Sequence, residues 1–178
     1  ISMNPTTFFF LNQFTLVAGG ETITSVDIAY HEGTAGTPVD VYLWSDPNGD
    51  GNPTDAQVLA SATSAIANLG TDIFNSTPIG PHTFTLGTSF FVGGRMTVSG
   101  PLFPIAGDTS PSAGQGCLAT GANPNDLSGA ITSTTVDVNN LMIRATGIAI
   151  IPEPSSIVLA GLGISFALIV RVLRSGRV

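Results

Sequence analysis

The chain has no lysine, one cysteine, one tryptophan and two tyrosines in 178 residues. Charged residues make up only 10% of it, against roughly 25% in ordinary soluble domains. Each shortage excludes something. Without lysine, and with five arginines in all, the chain lacks the positive surface that binding to a phosphate backbone needs, so nucleic acid is excluded as a partner. A lone cysteine, Cys117, rules out an intramolecular disulfide, and no Cys/His cluster has the spacing of a zinc site. Cys117 reads as a small buried hydrophobe. A cysteine nucleophile would need a base supplied nearby, and His31 and His82 stand far from it in sequence. Neither histidine accompanies a nucleophile elbow, and no phosphate loop is present. We therefore expect a non-enzymatic protein. Paired glycosidase carboxylates are the one catalytic arrangement that a linear sequence does not reveal.

The N-terminal 150 residues also lack sustained helical periodicity. No basic and apolar leader follows Ile1, so we expect a fragment or a mature form without its export signal. What is present is glycine and proline in abundance, 21 and 12 residues in the whole chain, scattered between short runs of Thr, Val, Ile and Phe. Strands are expected over Thr7–Val17, Thr22–Tyr30, Val39–Trp44, Gln57–Ile66, Asp72–Asn75, His82–Leu86, Ser89–Val92, Met96–Val98, Gly116–Thr120 and Leu141–Ile148. Val39, Val41 and Leu43 alternate with Asp40, Tyr42 and Trp44, so both faces of that strand are partly apolar and it belongs inside a sheet. Three alanines, Ala60, Ala62 and Ala65, make a helix an alternative at Gln57–Ile66. About ten short strands with turns every 8 to 12 residues predict an all-β domain, a β-sandwich or jelly roll, over residues 1–150. Residues 104–135 are weakly patterned and are expected to form long surface loops.

One turn carries more than turn chemistry. From Asp46 the chain runs Asp-Pro-Asn-Gly-Asp-Gly-Asn-Pro-Thr-Asp. Asp46, Asn48 and Asp50 stand at positions 1, 3 and 5 of a calcium-loop spacing, and Gly51 falls at position 6, where the chain must turn sharply. Asn52 and Thr54 occupy positions 7 and 9. Position 12 is Gln57 where the pattern wants a bidentate Glu; Asp55 substitutes for it if the loop closes early. Calcium is thus the one expected cofactor. The same residue types are those that solvated turns prefer, so a cation loop and a plain connection both fit the spacing.

Charge and hydropathy change together near residue 150. The body holds eleven carboxylates and two arginines, the remainder Glu153 and three arginines. Pro152, Glu153 and Pro154 precede sixteen uncharged residues, 155–170, and then Arg171, Arg174 and Arg177. As a helix, about 155–173 is just long enough to span a bilayer, and the positive-inside rule keeps the basic end, 171–178, in the cytoplasm and the acidic body outside. The two prolines keep the segment just before it extended and accessible. This order of motif, apolar segment and basic terminus resembles the PEP-CTERM sorting signal, over about the last 28 residues; the arginines here are dispersed where family members often have them consecutive. The resemblance implies export in a Gram-negative, exopolysaccharide-making bacterium, anchoring in the inner membrane, and processing at Pro152-Glu153-Pro154 by the protease-transpeptidase exosortase.

The body is also similar, more loosely, to β-sandwich domains of other bacterial exported proteins, through Val41-Tyr42-Leu43-Trp44, Val58-Leu59-Ala60-Ser61, Asn123-Pro124-Asn125-Asp126-Leu127 and Met142-Ile143-Arg144-Ala145. The function expected is that of a non-catalytic surface or matrix protein, carried outside and sorted by its tail. The alternative is a calcium-dependent carbohydrate-binding module of the exopolysaccharide matrix, with Trp44, Tyr42 or Tyr30 as its stacking face. Phe8, Phe9, Phe10, Phe90 and Phe91 are expected in the core.

Overall fold

A computed structural model describes residues 6–98, 103–108, 116–129, 131–132 and 140–149. Among them are eleven strands: β1 (Thr6–Thr15), β2 (Thr22–Ile28), β3 (Pro38–Ser45), β4 (Gln57–Ala65), β5 (Asn75–Thr83), β6 (Ser89–Val98), β7 (Gly107–Asp108), β8 (Gly116–Thr120), β9 (Ile131–Thr132), β10 (Asn140–Leu141) and β11 (Ile143–Ile148). Six form one antiparallel sheet in the order β4-β3-β6-β1-β8-β9, three form a second, β11-β2-β5, and β10 pairs with β7. The body is therefore all-β and sandwich-like, as its turn spacing predicts. No helix among the described residues is long and apolar enough to cross a membrane. The span expected at 155–173, with Pro152, Glu153, Pro154, Arg171, Arg174 and Arg177, lies outside the described residues.

The two-residue period of a strand sends alternate side chains to opposite faces. In the larger sheet the inner set is Phe10, Val39, Val41, Leu43, Phe90 and Val92. It meets Ile23, Val26, Ile28, Ile79 and Ile143 of the smaller sheet in one cluster. Asn12 points the same way, and its Nδ2 donates to the Leu141 carbonyl at 2.7 Å, tying β10 to the sheet. The outer set is Phe9, Leu11, Tyr42, Trp44, Phe91, Cys117 and Ala119, a second buried cluster. A sheet that is apolar on both faces must be covered on both.

Several sequence expectations are corrected. The segment 71–74 makes no strand, and Asn75–Thr83 forms one continuous strand through Pro78 and Pro81. Proline survives there because β5 is an edge strand, where an absent N–H leaves no ladder bond unmade. The strand expected at His82–Leu86 stops at Thr83, and the chain turns at Thr85–Thr88, with Thr88 N donating to Thr85 O at 3.2 Å. Thr22–Tyr30 ends as a ladder at Ile28, with Tyr30 left in a single bridge to Ile105. Gln57–Ala65 is strand, not helix.

Ser89–Val92 and Met96–Val98 are one strand joined through Gly93 and Gly94. The glycines look like a turn in sequence, but both sit between β1 and β3. A Cβ on Gly93 would fall on the Phe10 carbonyl oxygen, and one on Gly94 would come within 2.7 Å of the Phe10 ring. The missing side chains let a bulky Phe10 share the layer. Gly93→Ala is accordingly expected to lower stability by about 3 kcal/mol, the upper end of ordinary overpacking costs. A shift of the urea midpoint at unchanged m-value measures it.

Candidate metal centre

The Asp46–Asp55 loop leaves the end of β3 and lies over the outer face, with the Gln13 amide of β1 packed against Gly51. Its shape comes from side chains that bond the loop's own backbone. Asn48 Oδ1 accepts from Asp50 N at 3.0 Å, Asp50 Oδ1 from Asn52 N at 2.7 Å, and Asn52 Oδ1 from Thr54 N at 3.1 Å. These are three successive Asx turns. Asp46 is 7% exposed; its Oδ1 accepts from Gly49 N and its Oδ2 from Gly51 N, both at 3.0 Å. Gly51 has φ +76°, the left-handed conformation that its place in the calcium spacing calls for. Pro53–Asp55 then forms a single 3-10 turn, with Pro53 in its first turn and Asn52 as its cap.

The result is convergence of charge. Asp46, Asp50 and Asp55 each place a carboxylate oxygen within 4.8 Å of the other two. Like charges so close repel, and no basic side chain among the described residues balances them. Arg95 pairs with Asp40, and Arg144 lies over the Phe74 ring at 3.8 Å. Asp55 Oδ1 is buried and has no hydrogen-bond partner. The Asp46 oxygens retain lone pairs beyond the two amide bonds they accept. An all-oxygen set of this kind suits a hard divalent cation, so the triad could hold a metal ion.

The structure sorts the residues singled out from sequence. Asp46, Asp50 and Asp55 come together. The amides of Asn48 and Asn52 hold the loop's backbone, and Thr54 is exposed. Gln57, at position 12, opens β4 opposite Ser45 and is exposed. Gln13 is a neighbour of the loop that the sequence did not suggest, since nothing local links positions 13 and 51.

The rest of the outer face is covered by residues 121–129. Trp44 Nε1 donates to Pro124 O at 2.8 Å, Val58 N to Asn125 Oδ1 at 3.0 Å, and Arg95 Nη1 to Ala122 O at 2.7 Å. Leu127 is fully buried against the cluster. Ser128 donates to Asp126 through its hydroxyl at 2.7 Å and its amide at 3.3 Å, and these bonds hold the Asp126 carboxyl below its usual range. The expectation of surface loops over 104–135 is thus corrected in part: Ile105, Cys117, Ala119 and Leu127 are buried, because both core clusters need lids.

No family model, curated protein or solved structure matches the chain.

The aromatic stacking face expected for a carbohydrate module is overturned. Trp44 is 0% exposed, Tyr30 1% and Tyr42 7%. Trp44 stacks with Tyr42 at 5.0 Å between centroids and meets the edge of Phe9 at 6.4 Å. These rings build the core, and desolvation pushes the Tyr30 phenol well above its ordinary value. Of the two histidines, His31 is exposed beside Glu32 and His82 packs on Phe84. Cys117 is fully buried, and burial pushes its thiol up from 9.0 to about 11.

Two outcomes follow from this geometry. Asp46→Ala strands two loop amides and is expected to cost about 3 kcal/mol, as for bonds to a charged acceptor, read from the urea midpoint. Because the unfolded thiol ionises near 9 and the folded one near 11, the Cys117 contribution is complete below pH 9 and is lost as pH rises through 11. At pH 8 native protein should resist an aromatic disulfide reagent, and unfolded protein should release one equivalent of chromophore.

Proposed function

We propose that this chain is a non-catalytic exported surface or matrix protein whose β domain is braced by calcium. The observation that carries the calcium reading is the convergence of Asp46, Asp50 and Asp55 on one loop, with no basic side chain among the described residues to balance them. These three would hold the ion. Calcium is preferred over magnesium because a turning loop of carboxylate and carbonyl oxygens accommodates its larger, less regular shell. The ion would balance the like charges of a loop that joins β3 to β4 and rests on Gln13. Its role is structural, fastening the loop to the outer face.

The exported setting rests on the sequence of the tail. Pro152-Glu153-Pro154, the apolar segment after it and the arginines Arg171, Arg174 and Arg177 support a PEP-CTERM signal read by exosortase. The Asp/Asn loop would then face a calcium-rich exterior, where sites with dissociation constants of roughly 10⁻⁴ M serve structural ends.

Calcium at 10 mM is expected to stabilise the full chain in detergent by about 3 kcal/mol, the linkage value for ligand at a hundredfold its dissociation constant. That is a rise in Tm of about 5–10 °C for a chain of this length. Asp55→Asn should abolish the rise, and an unchanged wild-type Tm would remove the calcium reading. For the tail, Glu153→Ala expressed in an exosortase-bearing host should accumulate as unprocessed chain, visible in the intact mass.

A further inference from the structure

Among the described residues four large hydrophobic side chains stand well exposed: Val17, Ile73, Leu86 and Ile148. Apolar residues scattered singly over a surface need no explanation. Three of these four are gathered at one end of the sandwich. Val17 lies in the turn from β1 to β2 and Leu86 in the turn from β5 to β6. Leu16 N donates to Thr88 O at 2.9 Å and Gly87 N to Leu16 O at 3.0 Å, lacing the two turns together. Ile148 ends β11 opposite Thr22, where β2 begins, and a Cβ on Gly147 would come within 2.7 Å of the Gly20 carbonyl oxygen. An apolar cavity of about 130 Å³ lies beside them, among Phe14, Leu16, Val17, Ile23 and Phe90. Ile73 stands apart, two residues before Asn75, which pairs with Ile28 at the other end of β2.

The same end is tied to the tail. Ile148 closes β11 there, and the sixteen uncharged residues begin at Ser155. The seven Cα-to-Cα steps between them reach at most about 25 Å when fully extended. The far end of the sandwich stands a strand's length further off, since the ten residues of β1 run about 33 Å at roughly 3.3 Å each. With the apolar segment in a bilayer, the end that displays Val17, Leu86 and Ile148 is the one held near the lipid. Glu21 is the one charged side chain in the two turns, and its Oε1 folds back to accept from Gly19 N at 3.1 Å.

We infer that Val17, Leu86 and Ile148 seat the domain on the outer surface of the bilayer that holds the chain's own apolar segment. Large apolar side chains enter the boundary between headgroups and acyl chains, where their burial is favourable. Lipid is the occupant because the short covalent tether brings lipid to this end. The sandwich then stands on its β1–β2 and β5–β6 turns instead of swinging on the tail. This rests on the reading of the tail as a membrane anchor.

The test uses the full chain reconstituted into phosphatidylcholine vesicles, with plain or brominated acyl chains. The lipid is zwitterionic because the acidic Asp46 loop leaves β3 at this end too, with Ser45 opposite Phe90. Wild type, whose one tryptophan is the buried Trp44, gives the background. Leu86→Trp and Val17→Trp are each expected to lose emission in the brominated vesicles, and Ile73→Trp to keep it. An unchanged Tm shows that each variant folds. Flotation with the vesicles after alkaline extraction reads the anchor separately. If the chain floats but neither tryptophan is quenched beyond Ile73→Trp, the seating is overturned and the anchor stands. A chain that does not float removes the anchor, and the seating with it.

Discussion

The structure depends on one constraint: the larger sheet is apolar on both faces. Phe10, Val41 and Leu43 find the smaller sheet. Phe9, Leu11, Trp44 and Phe91 point away from it and need another cover. Burying a large apolar side chain contributes about 2–3 kcal/mol, so leaving four such groups wet would remove much of a typical net stability of 5–15 kcal/mol. The cover is made of connections. Residues 121–129 lie over one part, and the Asp46–Asp55 loop closes the end near Gln13. Loops that usually stay free for binding are here drafted into the core.

This constraint also explains the electrostatic state of the loop. A segment that must fold back on an apolar face needs its backbone groups satisfied locally. Asp and Asn at alternate positions do this, each accepting from an amide two residues on or, for Asp46, from two amides further along. The solution brings three carboxylates together in a chain that has no lysine to balance them. Covering the face and gathering negative charge are two results of one local pattern, and a divalent cation relieves the second without disturbing the first.

Much of the fold was legible. The alternation through Val39–Trp44 identified an interior strand that is apolar on both sides, and Gly116–Thr120 matched its expected bounds. The failures share a cause. Gly93-Gly94 and Pro78…Pro81 look like punctuation, yet both lie within strands, because crowding at Phe10 and position at a sheet edge outweigh local propensity. Those facts are tertiary, and no window of sequence contains them. In the loop, the spacing of Asp46, Asp50 and Asp55 was legible, while the use of Asn48 and Asn52 to hold the turn was not. Trp44, Tyr42 and Tyr30, the stacking face of the alternative, are buried in the core, and no local pattern separates a displayed ring from a buried one.

The attachment of residues 121–129 has an evolutionary side. Two of its polar anchors, Ala122 O and Pro124 O, are main-chain carbonyls, and a third, Gly121 N donating to Thr7 O, is main chain on both sides. A carbonyl is supplied by any residue, so the selecting chemistry sits on the sheet, in Trp44 and Arg95. The cover can therefore drift at its exposed positions while Asn125 and Leu127 hold its register. Divergent chains could share this architecture and yet retain so little common sequence in the lid that only the strand beneath, with its buried indole, would betray the kinship.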